Sequence, residues 1–211
     1  MTYDLIILDL DGTIAHTLPG IAHAAAQVMA QLGYAAPDPD SVQSKVGGGA
    51  RKLFERLFAD VDDPPVDAAT ERFLAYYNAH AEAGTTLYPD VVETLERLHG
   101  TTKLAVCTAK ARPATLRIFE HFDILKYFDL VVAMDDMQKP KPDPGGVATI
   151  LQKLDVDKQK CLYVGDSSTD LQTALNAEVD CWIVDYGYGF DKALALGGYR
   201  KIISGFAEIH N

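Results

Sequence analysis

The sequence predicts an α/β fold: a Rossmann-like doubly wound parallel sheet core with an inserted all-helical cap domain. Three features carry that prediction. From Leu87 onward, short apolar runs alternate with segments of helical periodicity, the pattern of a parallel sheet with helices on both faces. The runs are continuous rather than polar/apolar alternating, as strands buried on both faces are. Between residues 16 and 86, by contrast, apolar residues recur at helical spacing.

The first element is Tyr3 to Thr13, YDLIILDLDGT. Leu5, Ile6, Ile7 and Leu8 form a buried strand, and Asp9, Asp11 and Gly12 follow at once. Side chains on an extended segment alternate faces, so Asp9 and Asp11 can share one side while Leu10 points away. Carboxylates that close repel unless a cation or a proton lies between them. On one reading Asp9 is a nucleophile of the aspartyl-phosphate kind and Asp11 a general acid, then base. On the other, Asp-Gly is a turn that ends a strand.

The helical tract comes next. Pro19 suits a first turn, Ile21, Ala25, Val28, Met29 and Leu32 follow at helical spacing, and Gly33 reads as a stop. Pro37 and Pro39 interrupt the chain. Gly47, Gly48 and Gly49 precede a stripe of Ala50, Leu53, Phe54, Leu57 and Phe58. Residues 60–67, DVDDPPVD, read as a loop, and a helix through Phe73, Leu74 and Tyr77 runs to Gly84. No strand is expected between 16 and 86.

The alternating region then gives a helix from Pro89 to Gly100, strand 103–108, a helix from Pro113, and strand 129–133. A helix through Val147, Ile150, Leu151 and Leu154, strand 161–165, a helix through Leu171, Ala174 and Leu175, and strand 180–184 follow. KIIS and a last helical turn close the chain. The expected division is a core of residues 1–15 and 87–211 and a cap of residues 16–86.

At 211 residues and 48% hydrophobic, the chain can bury one core with an insertion. No apolar stretch approaches the ~20 residues of a membrane span. With no basic segment ahead of the first strand, no signal peptide is expected. Cys107, Cys161 and Cys181 lie in or beside apolar runs. Their odd number suits buried free thiols in a reducing compartment, here the cytoplasm. The net charge of -11 disfavours nucleic acid. A small anion can still bind where local cations and a metal invert the field.

Polar clusters sit at the expected strand ends: Asp9 and Asp11; Thr108, Ala109 and Lys110; KPKPDP at 139–144; GDSSTD at 165–170. Right-handed crossovers bring the carboxyl ends of parallel strands to one edge, where open α/β sheets bind ligands. Carboxylates, a hydroxyl, lysines and glycines beside helix starts equip a site for magnesium-assisted phosphoryl transfer.

In this order, the four clusters resemble the haloacid dehalogenase (HAD) superfamily over nearly the whole chain. The resemblance implies that Asp9 attacks phosphorus, Asp11 is the acid/base, and Thr108 and Lys141 bind phosphate. It implies Mg2+ held by Asp9, the Asp11 backbone carbonyl, Asp166 and waters, with Asp170 a ligand or a close neighbour, and residues 16–86 as a C1-type cap. Lys139 also precedes a proline, but the family's K-P-x-P pattern favours Lys141. Two departures stand out. Ala109 occupies a position where many relatives carry Asn, and His16 and Thr17 stand where many carry Asp-Ser. His16 is read as a hinge residue packing against the cap, the alternative being contact with the entrance of the site.

Lys45, Gly47 to Gly49, Arg51 and Lys52 form a cationic, glycine-rich segment in an acidic protein. VGGGA before a helix resembles the cap segment of phosphoglycolate phosphatases, whose substrate carries a carboxylate beside its phosphate. On that reading Lys45, Gly49 and Arg51 bind substrate together with Thr108, Ala109 and Lys141. The alternative is a flexible helix start with a solvated basic face. The expected function is a magnesium-dependent phosphatase of a small phosphorylated metabolite, phosphoglycolate first, acting as a monomer or homodimer without a nucleic-acid or membrane partner. A β-phosphoglucomutase-like mutase, a nucleotidase, a pyrophosphatase and a catalytically idle HAD-like binding module are the alternatives.

Overall fold

The computed structural model describes residues 2–211. At its centre is a six-stranded parallel sheet of β1 (Leu5–Leu8), β4 (Lys103–Cys107), β5 (Leu130–Val132), β6 (Cys161–Gly165), β7 (Asp180–Val184) and β8 (Lys201–Ile203), in the order β5-β4-β1-β6-β7-β8. β1 pairs with β4 on one side and β6 on the other. Relabelled by core strand, this is the 3-2-1-4-5-6 order of a doubly wound sheet, and the winding reverses between β1 and β6. A crevice opens at such a reversal, because the connections leave toward opposite edges.

Alternation along β1 divides its side chains between two layers. Ile6 and Leu8 join a cluster with Leu95 of α5 (Val91–Leu98) and Ile118 and Phe119 of α6 (Arg112–His121). Leu5 and Ile7 join Val147 and Ile150 of α7 (Gly145–Leu154) and Leu171 and Ala174 of α8 (Ser168–Ala177). Covered on both faces, β1 gains nothing from polar alternation, which is why it reads as one apolar run. Cys107, Cys161 and Cys181 are buried and free. Among the described residues, no helix is long and apolar enough to cross a membrane.

Residues 18–80 supply α1 (Leu18–Gln31), α2 (Pro39–Gln43), α3 (Ala50–Leu57) and α4 (Val66–His80). Phe54 meets Phe73 edge-on at 5.6 Å, and Phe73 stacks on Tyr77 at 5.1 Å, so aromatic rings join α3 to α4. Tyr77 then turns toward the sheet's carboxyl edge.

Three local expectations need correction. The ends of the helical tract are not strand-free: β2 (Ala15–His16) and β3 (Thr86–Leu87) pair antiparallel. Two-residue strands are too short to show a period, and their pairing is set by a partner far along the chain, His16 in register with Thr86. Pro39 does not simply break the chain. It opens α2, with Asp38 capping through its carboxylate, which accepts from Ser41 N at 3.1 Å. A helix absent from the sequence reading, α9 (Phe190–Leu196), follows β7.

Candidate active site

The strand ends converge. Asp9 follows β1, Thr108 follows β4, Lys141 lies in the loop after β5, and Asp166 and Asp170 follow β6. With Asp11, Ala109 and Gly49 they line one crevice, about 840 Å³ including space open to solvent. It lies over the β1/β6 reversal.

Asp9, Asp166 and Asp170 each offer a carboxylate oxygen within 4.8 Å of the others, and all three are buried. Lys141 is buried with them. Its Nζ lies 2.9 Å from Asp9 Oδ1, 2.6 Å from Asp170 Oδ1, 3.1 Å from the Cys107 carbonyl and 3.0 Å from the Tyr163 hydroxyl. Lys139 is exposed. Asp166 Oδ2 accepts from the backbone N–H groups of Tyr188 (2.6 Å) and Gly189 (3.0 Å). Asp170 is the N3 residue of a capping box at the start of α8: Ser167 Oγ donates to Asp170 Oδ2 at 2.5 Å and accepts from Asp170 N at 3.2 Å.

These arrangements act on the carboxyl groups in opposite directions. Burial, then the charge of Asp170, raise Asp9 to about 7 despite Lys141. Burial and the same neighbouring carboxylates push Asp166 well above its ordinary range. Asp170 is buried as deeply, but Lys141 and the Ser167 hydrogen bonds outweigh that and hold it below the ordinary value. Lys141 itself is pressed down by burial and lifted further by Asp170 and Asp9, ending above an ordinary lysine.

The donor set fits a divalent cation. Three hard oxygen donors with one lysine leave surplus negative charge that a metal would neutralise, and oxygen ligands of this kind suit Mg2+ or Ca2+. The backbone is shaped to the cluster as well. Gly12 has φ +84°, and a Cβ there would fall 2.5 Å from Asp166 Oδ2; a Cβ on Gly187 would also strike the Asp166 side chain. Only glycine admits Asp166 between these two loops.

Asp11 belongs to a second, connected group. Its Oδ1 accepts from Thr17 Oγ1 at 2.6 Å and lies 2.9 Å from Lys110 Nζ. Lys110 is buried and also donates to the Tyr77 hydroxyl at 3.0 Å, so α4 reaches Asp11 through one ammonium. Burial presses Lys110 down, but Asp11 and Tyr77 hold it above the ordinary lysine range. Thr108 is buried, and its Oγ1 accepts from Lys110 N at 3.2 Å. Tyr188 ties the groups together. Its hydroxyl accepts from Thr17 N (2.6 Å) and Leu18 N (3.0 Å) at the start of α1 and sits 3.2 Å from His16 Nδ1. His16 thus lies in β2, paired with Thr86 and in contact with Tyr188.

The glycine-rich segment is divided. Gly47, Gly48 and Gly49 line the crevice, and a Cβ on Gly49 would meet the Met134 side chain at 2.6 Å. Arg51 and Lys45 are not brought into the crevice. Arg51 is exposed and pairs with Asp67 and, at 3.2 Å, with Glu55, while Lys45 Nζ bonds Ser41 Oγ at 2.7 Å. Lys110 and Thr17 belong to segments the sequence marked without assigning them these contacts; Tyr77, Tyr163 and Tyr188 are the participants that the motifs did not single out. One sequence signal was available: Tyr188 sits between Gly187 and Gly189 at the end of a buried strand, as the acidic motif of β6 does with Gly165.

Residues 6–184 match the family model described as haloacid dehalogenase-like hydrolase. A phosphoglycolate phosphatase of Rhodospirillum rubrum is 35% identical, over 97% of this chain and 88% of its own length. One of Salmonella paratyphi A is 32% identical, over 97% and 90%. Among solved structures, a predicted phosphoglycolate phosphatase from Haemophilus somnus 129pt superposes with a TM-score of 0.90 at 26% identity, covering 99% of this chain and 96% of that one.

Proposed function

From its membership of the haloacid dehalogenase-like hydrolases, to which this chain belongs, we infer a phosphatase that hydrolyses phosphoglycolate through an aspartyl-phosphate on Asp9. The chain is a HAD phosphatase, a phosphoric monoester hydrolase, and its substrate is a small phosphorylated molecule. The observation that carries the finer reading is the buried group of Asp9, Asp166, Asp170 and Lys141 around one point.

In this reading Asp9 attacks phosphorus as the ester bond to the leaving oxygen breaks. Asp11 gives that oxygen a proton. Its two contacts fall on Oδ1, which supports Oδ2 as the proton carrier. Asp11 then takes a proton from water as the water attacks the aspartyl-phosphate, freeing phosphate and the Asp9 carboxylate. Lys141 offsets charge on Asp9 and the transferring group, and the Thr108 hydroxyl holds a phosphate oxygen. Mg2+ would be held by Asp9, Asp166, Asp170 and the Asp11 carbonyl, and when bound it would supply positive charge to the phosphoryl oxygens. Residues 16–86 act as a cap that excludes water and contacts the organic part. Tyr77, reaching Lys110 from α4, supports that role. The enzyme works in the cytoplasm, as a monomer or homodimer and with neither nucleic acid nor membrane, in keeping with its buried thiols and acidic charge.

A panel of phosphate esters with and without magnesium tests this. Phosphoglycolate should be turned over fastest, only with metal, and not by Asp9→Asn. Equal phosphate release by Asp9→Asn would reject the covalent route.

A further inference from the structure

We propose that Lys110 is the specificity-determining residue of this site: with the amide of Asn78, its ammonium binds a carboxylate that adjoins the ester on the leaving group. The proposal rests on the phosphatase reading above and names the groups that recognise the organic part.

An anionic leaving group needs a cation in a protein of net charge -11. The surface cations of the glycine-rich segment are engaged elsewhere, Arg51 with Asp67 and Glu55 and Lys52 with Glu55. Among the described residues, the buried ammonium groups are those of Lys110 and Lys141. Lys141 shares its three donors among Asp9, Asp170, the Cys107 carbonyl and Tyr163, so it is committed to the nucleophile. Lys110 meets Asp11 and Tyr77. An ammonium carries three donors, and one of these remains for a ligand.

Position favours the same assignment. Lys110 stands two residues beyond Thr108, meets Asp11, the proton donor to the leaving oxygen in this reading, and touches α4 through the Tyr77 hydroxyl. Asn78, the next residue after Tyr77, lines that crevice, and its Oδ1 is buried without a hydrogen-bond donor. Buried polar atoms normally have partners. A side-chain amide has both an acceptor and an NH2 group, so the same side chain can turn its donors to a carboxylate. Ile21, Leu53, Phe73 and Ala114 make the neighbouring wall apolar, and low dielectric there strengthens pairing of an ammonium with a short anion. A neutral group of the same size would forgo that pairing.

The test compares kcat/KM for 2-phosphoglycolate with that for 2-hydroxyethyl phosphate, in which CH2OH replaces the carboxylate. Because Lys110 also touches Asp11, a loss shared by both esters reports on proton transfer, and the ratio isolates recognition. Lys110→Met should lower the ratio by roughly 10- to 100-fold, the size of a lost charged hydrogen bond. Lys110→Arg should retain most of it. Asn78→Leu leaves the Asp11–Lys110 pair intact, carries the test if Lys110→Met does not fold, and should lower the ratio by about 3- to 10-fold. If the wild type prefers phosphoglycolate and the folded variants keep the ratio within about twofold, the proposal is overturned and the phosphoglycolate reading stands. A wild type that treats the two esters alike overturns both.

Discussion

Replacing Asp9, the proposed nucleophile, should make the metal-free protein more stable at neutral pH. Asp9 ionises at about 7 in the folded protein, against an ordinary value of 3.8. A carboxyl raised in this way binds its proton more tightly folded than unfolded, so its contribution opposes folding as pH climbs through that window and vanishes below it. The full difference corresponds to roughly 4 kcal/mol at pH 7.5. Water entry and relaxation around a solvent-connected crevice should leave about half of this, ~2 kcal/mol. The amide of Asp9→Asn would keep an acceptor for Lys141 without the charge. In a chain of this size the gain amounts to a rise in melting temperature of about 4–8 °C. Calorimetry or dye-based melting in a chelator, from pH 5 to pH 8, measures it. The expected pattern is a difference between Asp9→Asn and wild type that grows with pH, and a wild type that recovers with magnesium while the variant does so less. A variant that melts below wild type at pH 7.5, or by an amount independent of pH, would refute the reasoning.

Other perturbations follow from the same contacts. Lys141→Met removes the ammonium between Asp9 and Asp170 and leaves both buried without their cation; about 3–5 kcal/mol of stability should be lost in chelator at pH 8, read from denaturant midpoints. Gly12→Ala sets a methyl against Asp166 at a left-handed φ, which should cost about 1–3 kcal/mol and weaken magnesium binding measured by titration calorimetry. Tyr188→Phe deletes the hydroxyl that caps α1 through Thr17 N and Leu18 N; about 1 kcal/mol should be lost, seen as a melting shift of about 2–4 °C.

The acidic half of the site was legible because it is local. Asp9, Asp11, Asp166 and Asp170 each follow a buried run within a few residues, so knowing that the strands are parallel is enough to bring them to one edge. Gly12 was legible as a turn but not as the opening that admits Asp166, since that contact joins two loops 154 positions apart (12 and 166). Lys110 was legible as a strand-end residue but not as a bridge to α4: that contact depends on Tyr77, and where Tyr77 points follows from how α4 packs on α6 and α3. Arg51 and Lys45 drew attention through composition, yet a helix start has two sides, and Asp67 and Ser41 hold these cations on the outer one. The β2–β3 ladder and α9 were too short for periodicity to register. Polar residues beside strands were thus readable from sequence, whereas side chains that become functional only across the helix–sheet boundary were not.

Covalent capture of the phosphoryl group on Asp9 tests the account most directly. Enzyme turning over phosphoglycolate with magnesium is quenched with borohydride, which reduces an aspartyl-phosphate to homoserine, and the peptide spanning Tyr3 to Thr13 is mapped by mass spectrometry. The expected result is homoserine at position 9, dependent on both substrate and magnesium. Steady phosphate release with an unmodified Asp9, or with the label on Asp11 or Asp166 instead, would contradict it.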